Sequence, residues 1–96
     1  MNDRVRRVAG ILEDAERAHA AISRRTGGAD AEWPLFYAWW LVTWSDLPDV
    51  LGATPTRSRL VFELIRLDRA FRAGSGATPW PEAYAAELLA IDWGAA

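Results

Sequence analysis

Ninety-six residues can build one hydrophobic core and little more, so the expectation is a single domain over 1–96, to which a second copy of the chain would add buried surface. Thirteen acids against eleven bases give a net charge of -2 and a pI near 5.3, which excludes the broad positive field that draws nucleic acid or an anionic membrane. The absence of cysteine excludes disulfides, zinc thiolate sites and thiol catalysis, and the opening Met1 to Arg7 is charged rather than apolar, which points to a cytoplasmic protein.

From Val5, the apolar or small positions Val8, Leu12, Ala15, His19, Ile22 and Thr26 follow a three-four spacing that traces one seam of a helix over about residues 3 to 26. Asn2 or Asp3 is placed to cap its start. Gly27-Gly28 is placed to end it after Arg24 and Arg25, two cations suited to the negative end of the helix dipole.

A second helix opens at Trp33-Pro34, since proline fits the first helical turn, and closes near Ser45. It is apolar all round and holds four of the six tryptophans, which predicts a central hydrophobic helix; at twelve residues it is short of the roughly 20 that span a bilayer. At 100° per residue, Trp33, Phe36, Tyr37, Trp40, Leu41 and Trp44 share the face expected to be core. Leu35, Trp39 and Val42 share a second face, with Ala38 and Ser45 in the gap. Asp46 to Gly52 reads as a turn or a single helical turn, started by Pro48 and stopped by Gly52.

Thr54-Pro55 opens a third helix running to about Ala73, with the stripe Leu60, Leu64, Leu67 and Phe71, and Gly74-Ser75-Gly76 ends it. A shorter fourth helix starts at Trp80-Pro81, carries Tyr84, Leu88 and Ile91, and gives way to Trp93-Gly94. The expected architecture is therefore all-α, with three long helices and a short fourth. The run Trp33-Pro-x-x-Tyr37-Ala-x-x-Leu41 recurs as Trp80-Pro-x-x-Tyr84-Ala-x-x-Leu88, forty-seven positions later. Two uses of one helix-start chemistry explain this better than duplication, because the stripes of the first and third helices do not superpose at that offset.

Four groups of residues carry candidate chemistry. Glu16 and His19 have the Glu-x-x-His spacing of carboxylate metal bundles; two copies, with Glu63 or Glu13 from each chain, would complete a ligand set, although a hydrogen-bonded core histidine is the commoner use of that pattern. Asp68 falls inside the apolar arc of the third helix and needs a partner, either Arg72 four residues on or a tyrosine or tryptophan from a neighbour. Thr54, Thr56, Arg57 and Arg59 surround a helix start where an anion would be favoured, unless Asp46 and Asp49 supply the negative charge internally. Finally, the aromatic helix offers either an interface through Leu35, Trp39 and Val42 or a pocket among Tyr37, Trp40, Trp44 and Asp68.

No phosphate-binding glycine loop, dinucleotide fingerprint or zinc-protease motif occurs, and a single histidine cannot furnish the usual hydrolase triads. The reading favoured by these residues is a non-enzymatic helical interaction or accessory protein that acts as a homodimer, without a cofactor. The alternatives are a small-ligand or cofactor-binding aromatic pocket and a dimeric carboxylate metal protein.

Overall fold

In the computed structural model, which describes residues 2–26, 32–74 and 76–94 and the backbone alone at 24–26, every regular element is a helix. Their order is α1 (Asp3–Thr26), α2 (Trp33–Trp44), α3 (Leu47–Leu51), α4 (Arg57–Ala73) and α5 (Trp80–Ala90). Five described helices thus replace the four expected. The addition is α3, the single helical turn read between Pro48 and Gly52. Gly52 closes it at φ 75°, where a side chain would be strained, and donates its N–H to the carbonyl of Pro48 at 2.9 Å.

So short a helix depends on its neighbours. The Ser45 hydroxyl donates to the Leu41 carbonyl (2.5 Å) and accepts from the Leu47 N–H (3.0 Å), so it ends α2 and starts α3 together. Arg4 of α1 donates to the Val50 carbonyl at 2.7 Å, while Leu47 and Val50 are buried.

Other boundaries follow local chemistry. Asn2 caps α1, its Oδ1 accepting the Val5 N–H at 2.8 Å. α4 begins later than Thr54-Pro55, because Thr56 is the cap and accepts the Arg59 N–H at 3.1 Å, leaving Pro55 buried ahead of the helix. The Trp93 indole N–H donates to the Leu88 carbonyl at 2.8 Å and covers the end of α5. The stop at Gly27-Gly28, the loop residue Ser75 and the side chains of Arg24, Arg25 and Thr26 lie outside the described residues.

The core joins Val8, Leu12 and Ala15 of α1, Tyr37, Ala38 and Leu41 of α2, Leu60, Leu64 and Leu67 of α4, and Tyr84, Ala85 and Leu88 of α5. The α1 seam is buried only over its first half: His19 is half-buried and Ile22 is exposed. The largest departure concerns α2. Its buried strip is Pro34, Tyr37, Ala38 and Leu41, which takes in Tyr37 and Leu41 of the face expected to be core, while Trp33, Phe36 and Trp40 of that face are half-buried against the core. Trp44, expected inside, is 66% exposed, whereas Ala38 from the supposed gap is buried. The most extensive partner of α2 is α4.

The recurring Trp-Pro-x-x-Tyr-Ala-x-x-Leu run has a packing counterpart. In both copies the proline, tyrosine, alanine and leucine are buried and the tryptophan is half-buried. The first and fourth helices also correspond, at an offset of 52 rather than 47: Val8, Leu12, Ala15 and His19 match Leu60, Leu64, Leu67 and Phe71. The five-residue difference is accommodated beyond His19, since α1 runs on to Thr26 but α4 ends at Ala73, two residues past Phe71. Packing follows the same exchange, with α1 lying chiefly on α5 and α2 chiefly on α4. The chain is built as two equivalent helical hairpins, α1–α2 and α4–α5, each of whose helices packs most closely on the other hairpin.

Candidate functional site

A cleft of about 380 Å³ opens where the two hairpins meet, and each hairpin contributes the same four kinds of side chain in corresponding positions. From the first come Glu16, His19, Trp33 and Tyr37; from the second come Asp68, Phe71, Trp80 and Tyr84, with Leu64 at the floor and Arg72 at the rim. Helical spacing explains the sets. Glu16 and His19, like Asp68 and Phe71, are three apart and project to one side, and each tryptophan stands one turn before its tyrosine.

The tryptophan, tyrosine and phenylalanine rings of the cleft meet edge to face, and the His19 ring is tilted against Tyr37. Trp33 and Tyr37 lie 5.5 Å apart at 86°, Trp80 and Tyr84 5.2 Å apart at 74°, and Tyr37 reaches Trp80 across the junction at 6.5 Å. His19 sits 5.4 Å from Tyr37, as Phe71 sits 6.1 Å from Tyr84. Such angles are the favoured ones for aromatic pairs, and they make the rings walls of a box rather than a closed stack.

The two carboxylates differ. Arg72 Nε donates to Asp68 Oδ1 at 3.1 Å and lies 3.0 Å from Oδ2 in an ion pair, and the Tyr84 hydroxyl donates to Asp68 Oδ1 at 3.4 Å. Both partners expected for this carboxylate are therefore present. Glu16 is exposed and has no counterpart to that guanidinium, since Ala20 stands where Arg72 stands in the second hairpin. Burial, and next the charge of Glu16, push the Tyr37 hydroxyl up to about 12. Burial, then the charge and hydrogen bond of Asp68, push Tyr84 further in the same direction against the opposing charge of Arg72. Both phenols stay protonated near neutral pH, as hydrogen-bond donors and not as bases.

Outside the cleft, the solvent side of α2 is an aromatic surface. Leu35 is 56% and Trp39 39% exposed, and Trp39 meets Trp44 edge to face (6.3 Å) and the half-buried Phe36 at a tilt (5.9 Å). On α4, Phe62 and Ile65 are exposed as well. No charged side chain occurs anywhere in α2.

Comparison with known proteins yields no match. Neither a protein-family model, nor a curated protein, nor a solved structure resembles this chain.

The structure sorts the sequence candidates as follows. Tyr37, Asp68, Glu16 and His19 are brought together in the cleft, whereas Trp40 packs against the core and Trp44 lies on the outer face of α2, so neither lines it. Leu35 and Trp39 share the exposed face, but Val42 packs against the core. Glu63 does not join Glu16 and His19: it is buried on α4, with Oε1 taken by Arg66 Nε (2.6 Å) and Oε2 by Arg59 Nε (3.4 Å). No group of three His, Cys, Asp or Glu side chains suited to a metal ion occurs among the described residues. At the start of α4, Thr56 occupies one N–H itself and Arg59 turns away, pairing with Glu63 and lying 5.3 Å from the Trp93 ring centroid. Its partners are thus Glu63 and Trp93 rather than Asp46 and Asp49, and the set Thr54, Thr56, Arg57 and Arg59 does not close on one point. Sequence reasoning missed Trp33, Trp80 and Tyr84 as cleft residues. The signal for them was the recurring Trp-Pro-x-x-Tyr run, once the first and fourth helices are aligned at their own offset.

Among the described residues, no helix is long and apolar enough to cross a membrane.

Proposed function

We propose that this protein is a small helical interaction module that pairs with a second copy of itself through the outer face of α2, the contact being made by Leu35, Trp39 and Trp44. The observation that carries this reading is the exposure of two indoles and a leucine on a helix with no charged residue. Large apolar side chains clustered at the surface of a small protein mark association sites, and tryptophan is the residue most enriched where binding energy concentrates. A two-fold contact buries the same patch on both copies, and with no charged residue in α2 this one would bury no charge along that helix. Trp44, at the end of the helix, extends the patch beyond the residues that the helical wheel assigns to it. Association of this kind needs no catalytic group, and the accessory role follows from it. Sedimentation equilibrium of the wild type and of Trp39→Ala and Trp44→Ser tests the reading: the wild type self-associates and both variants shift to monomer. A wild type that stays monomeric at high concentration overturns it.

A further inference from the structure

We propose that the cleft between the two hairpins binds a small organic ammonium ion, held between the Trp33, Tyr37 and Trp80 rings with the Glu16 carboxylate beside it. This site is separate from the α2 outer face and does not depend on pairing of the chain. The size fits first, since about 380 Å³ lies at the low end of the roughly 300–1,000 Å³ of small-molecule sites.

Electrostatics then selects the ligand. Among the described residues that line the cleft, the carboxylates are Glu16 and Asp68, the guanidinium is that of Arg72, already committed to Asp68, and the imidazole of His19 lies against the Tyr37 ring. An anionic ligand would meet the unpaired carboxylate. A neutral apolar ligand would take Glu16 out of water with nothing in return, whereas an ammonium ion supplies its counter-charge.

Ring geometry points the same way. Walls standing at 66° to 86° to one another present π faces and edges around one space, and the face of tryptophan or tyrosine attracts a cation within about 6 Å of its centroid. The two half-sites are not equal in this respect. Arg72 neutralises the Asp68 half, and the corresponding position in the first hairpin is Ala20, which leaves the Glu16 half as the one that takes the positive charge. A single ammonium group, rather than a diamine, is the ligand class that follows.

Choline and its neutral carbon isostere 3,3-dimethyl-1-butanol separate the charge from the shape. Titrated into the full-length protein and followed by intrinsic tryptophan fluorescence and calorimetry, choline is expected to bind saturably and the isostere at least about tenfold more weakly. Acetate, as an anionic probe, is expected not to bind. Glu16→Gln changes an exposed side chain without touching the core and is expected to weaken choline binding about threefold to tenfold, with the circular dichroism spectrum unchanged. Trp80→Leu is expected to abolish saturation, and its folding is checked by the same spectrum. An N-acetyl-trimethyllysine amide, run in parallel, distinguishes a free ligand from a modified side chain by which of the two binds more tightly. Equal binding of choline and its isostere, choline binding indifferent to Glu16→Gln, or no saturable signal into the millimolar range would each overturn the proposal.

Discussion

Raising the pH from 10 to 12 should strip this protein of a large share of its stability, and the cause should be its two tyrosines. Tyr37 is 9% exposed, and burial together with the Glu16 carboxylate holds its hydroxyl at about 12 against an ordinary value of 10.0. Tyr84 is displaced in the same direction by burial, by Asp68 and by the hydrogen bond it donates. In the unfolded chain both ionise near 10, so above that pH the unfolded state releases protons that the folded state keeps. The stabilisation is full below pH 10 and falls as pH rises through the folded values. Two pH units at 1.36 kcal/mol each amount to about 2.7 kcal/mol for Tyr37 alone, and Tyr84 adds to it. Small domains have a total stability on the order of 5–15 kcal/mol, so the loss is a large share. The window is unusually clean, because the chain has neither cysteine nor lysine. Phenolate absorbance and far-ultraviolet circular dichroism recorded along one pH series should change together, in one cooperative step above pH 10. Tyr37→Phe should flatten the pH dependence of urea-derived stability by about 2–3 kcal/mol over the same interval. If both phenols titrate near 10 while the helices persist, the account of the cleft as a buried, negatively biased aromatic site is wrong.

Four further outcomes are expected from urea melts. Leu41→Ala removes a fully buried side chain of α2 and should cost about 2–5 kcal/mol; a loss below 1 kcal/mol would mean that α2 does not close the core as described. Glu63→Gln leaves two guanidinium groups facing an amide and should cost about 1–3 kcal/mol, whereas Arg17→Ala, which breaks an exposed pair with Asp14, should change stability by less than about 0.5 kcal/mol. Gly10 lies inside α1 with open space where a Cβ would stand, so Gly10→Ala should stabilise the protein by about 0.5–1 kcal/mol, and a destabilised variant would contradict that helix environment.

Features set by neighbours in sequence were legible before any fold was known. The Asn2 cap, the Trp-Pro starts of α2 and α5, the αL stop at Gly52 and the Asp68–Arg72 pair all rest on spacings of one turn or less. The orientation of α2 was legible only in part: Tyr37 and Leu41 are buried and Leu35 and Trp39 exposed as their faces imply, but a helix that is apolar all round has no polar face to turn outward, so its wheel cannot mark the edges of the buried side, where Ala38 is buried and Trp44 exposed. Trp44 was misplaced for the same reason, being the last helical residue, with no further turn of helix beyond it. The cleft was half legible: Tyr37 and Asp68 were expected in an aromatic pocket and Glu16 and His19 on one side of the first helix, but Trp80 and Tyr84 required the α4–α5 hairpin to be placed against α1–α2. That long-range pairing is written in two offsets rather than one, which hid the correspondence.

The central claim is that the exposed aromatic face of α2 exists to be covered by another copy of the chain, and sedimentation equilibrium over a concentration series measures this most directly. The account predicts a monomer–dimer equilibrium for the wild type and a shift to monomer in Trp44→Ser, whose substituted side chain is two-thirds exposed and so leaves the fold intact. A wild type that sediments as a monomer throughout, or a Trp44→Ser variant that dimerises as strongly, would contradict it.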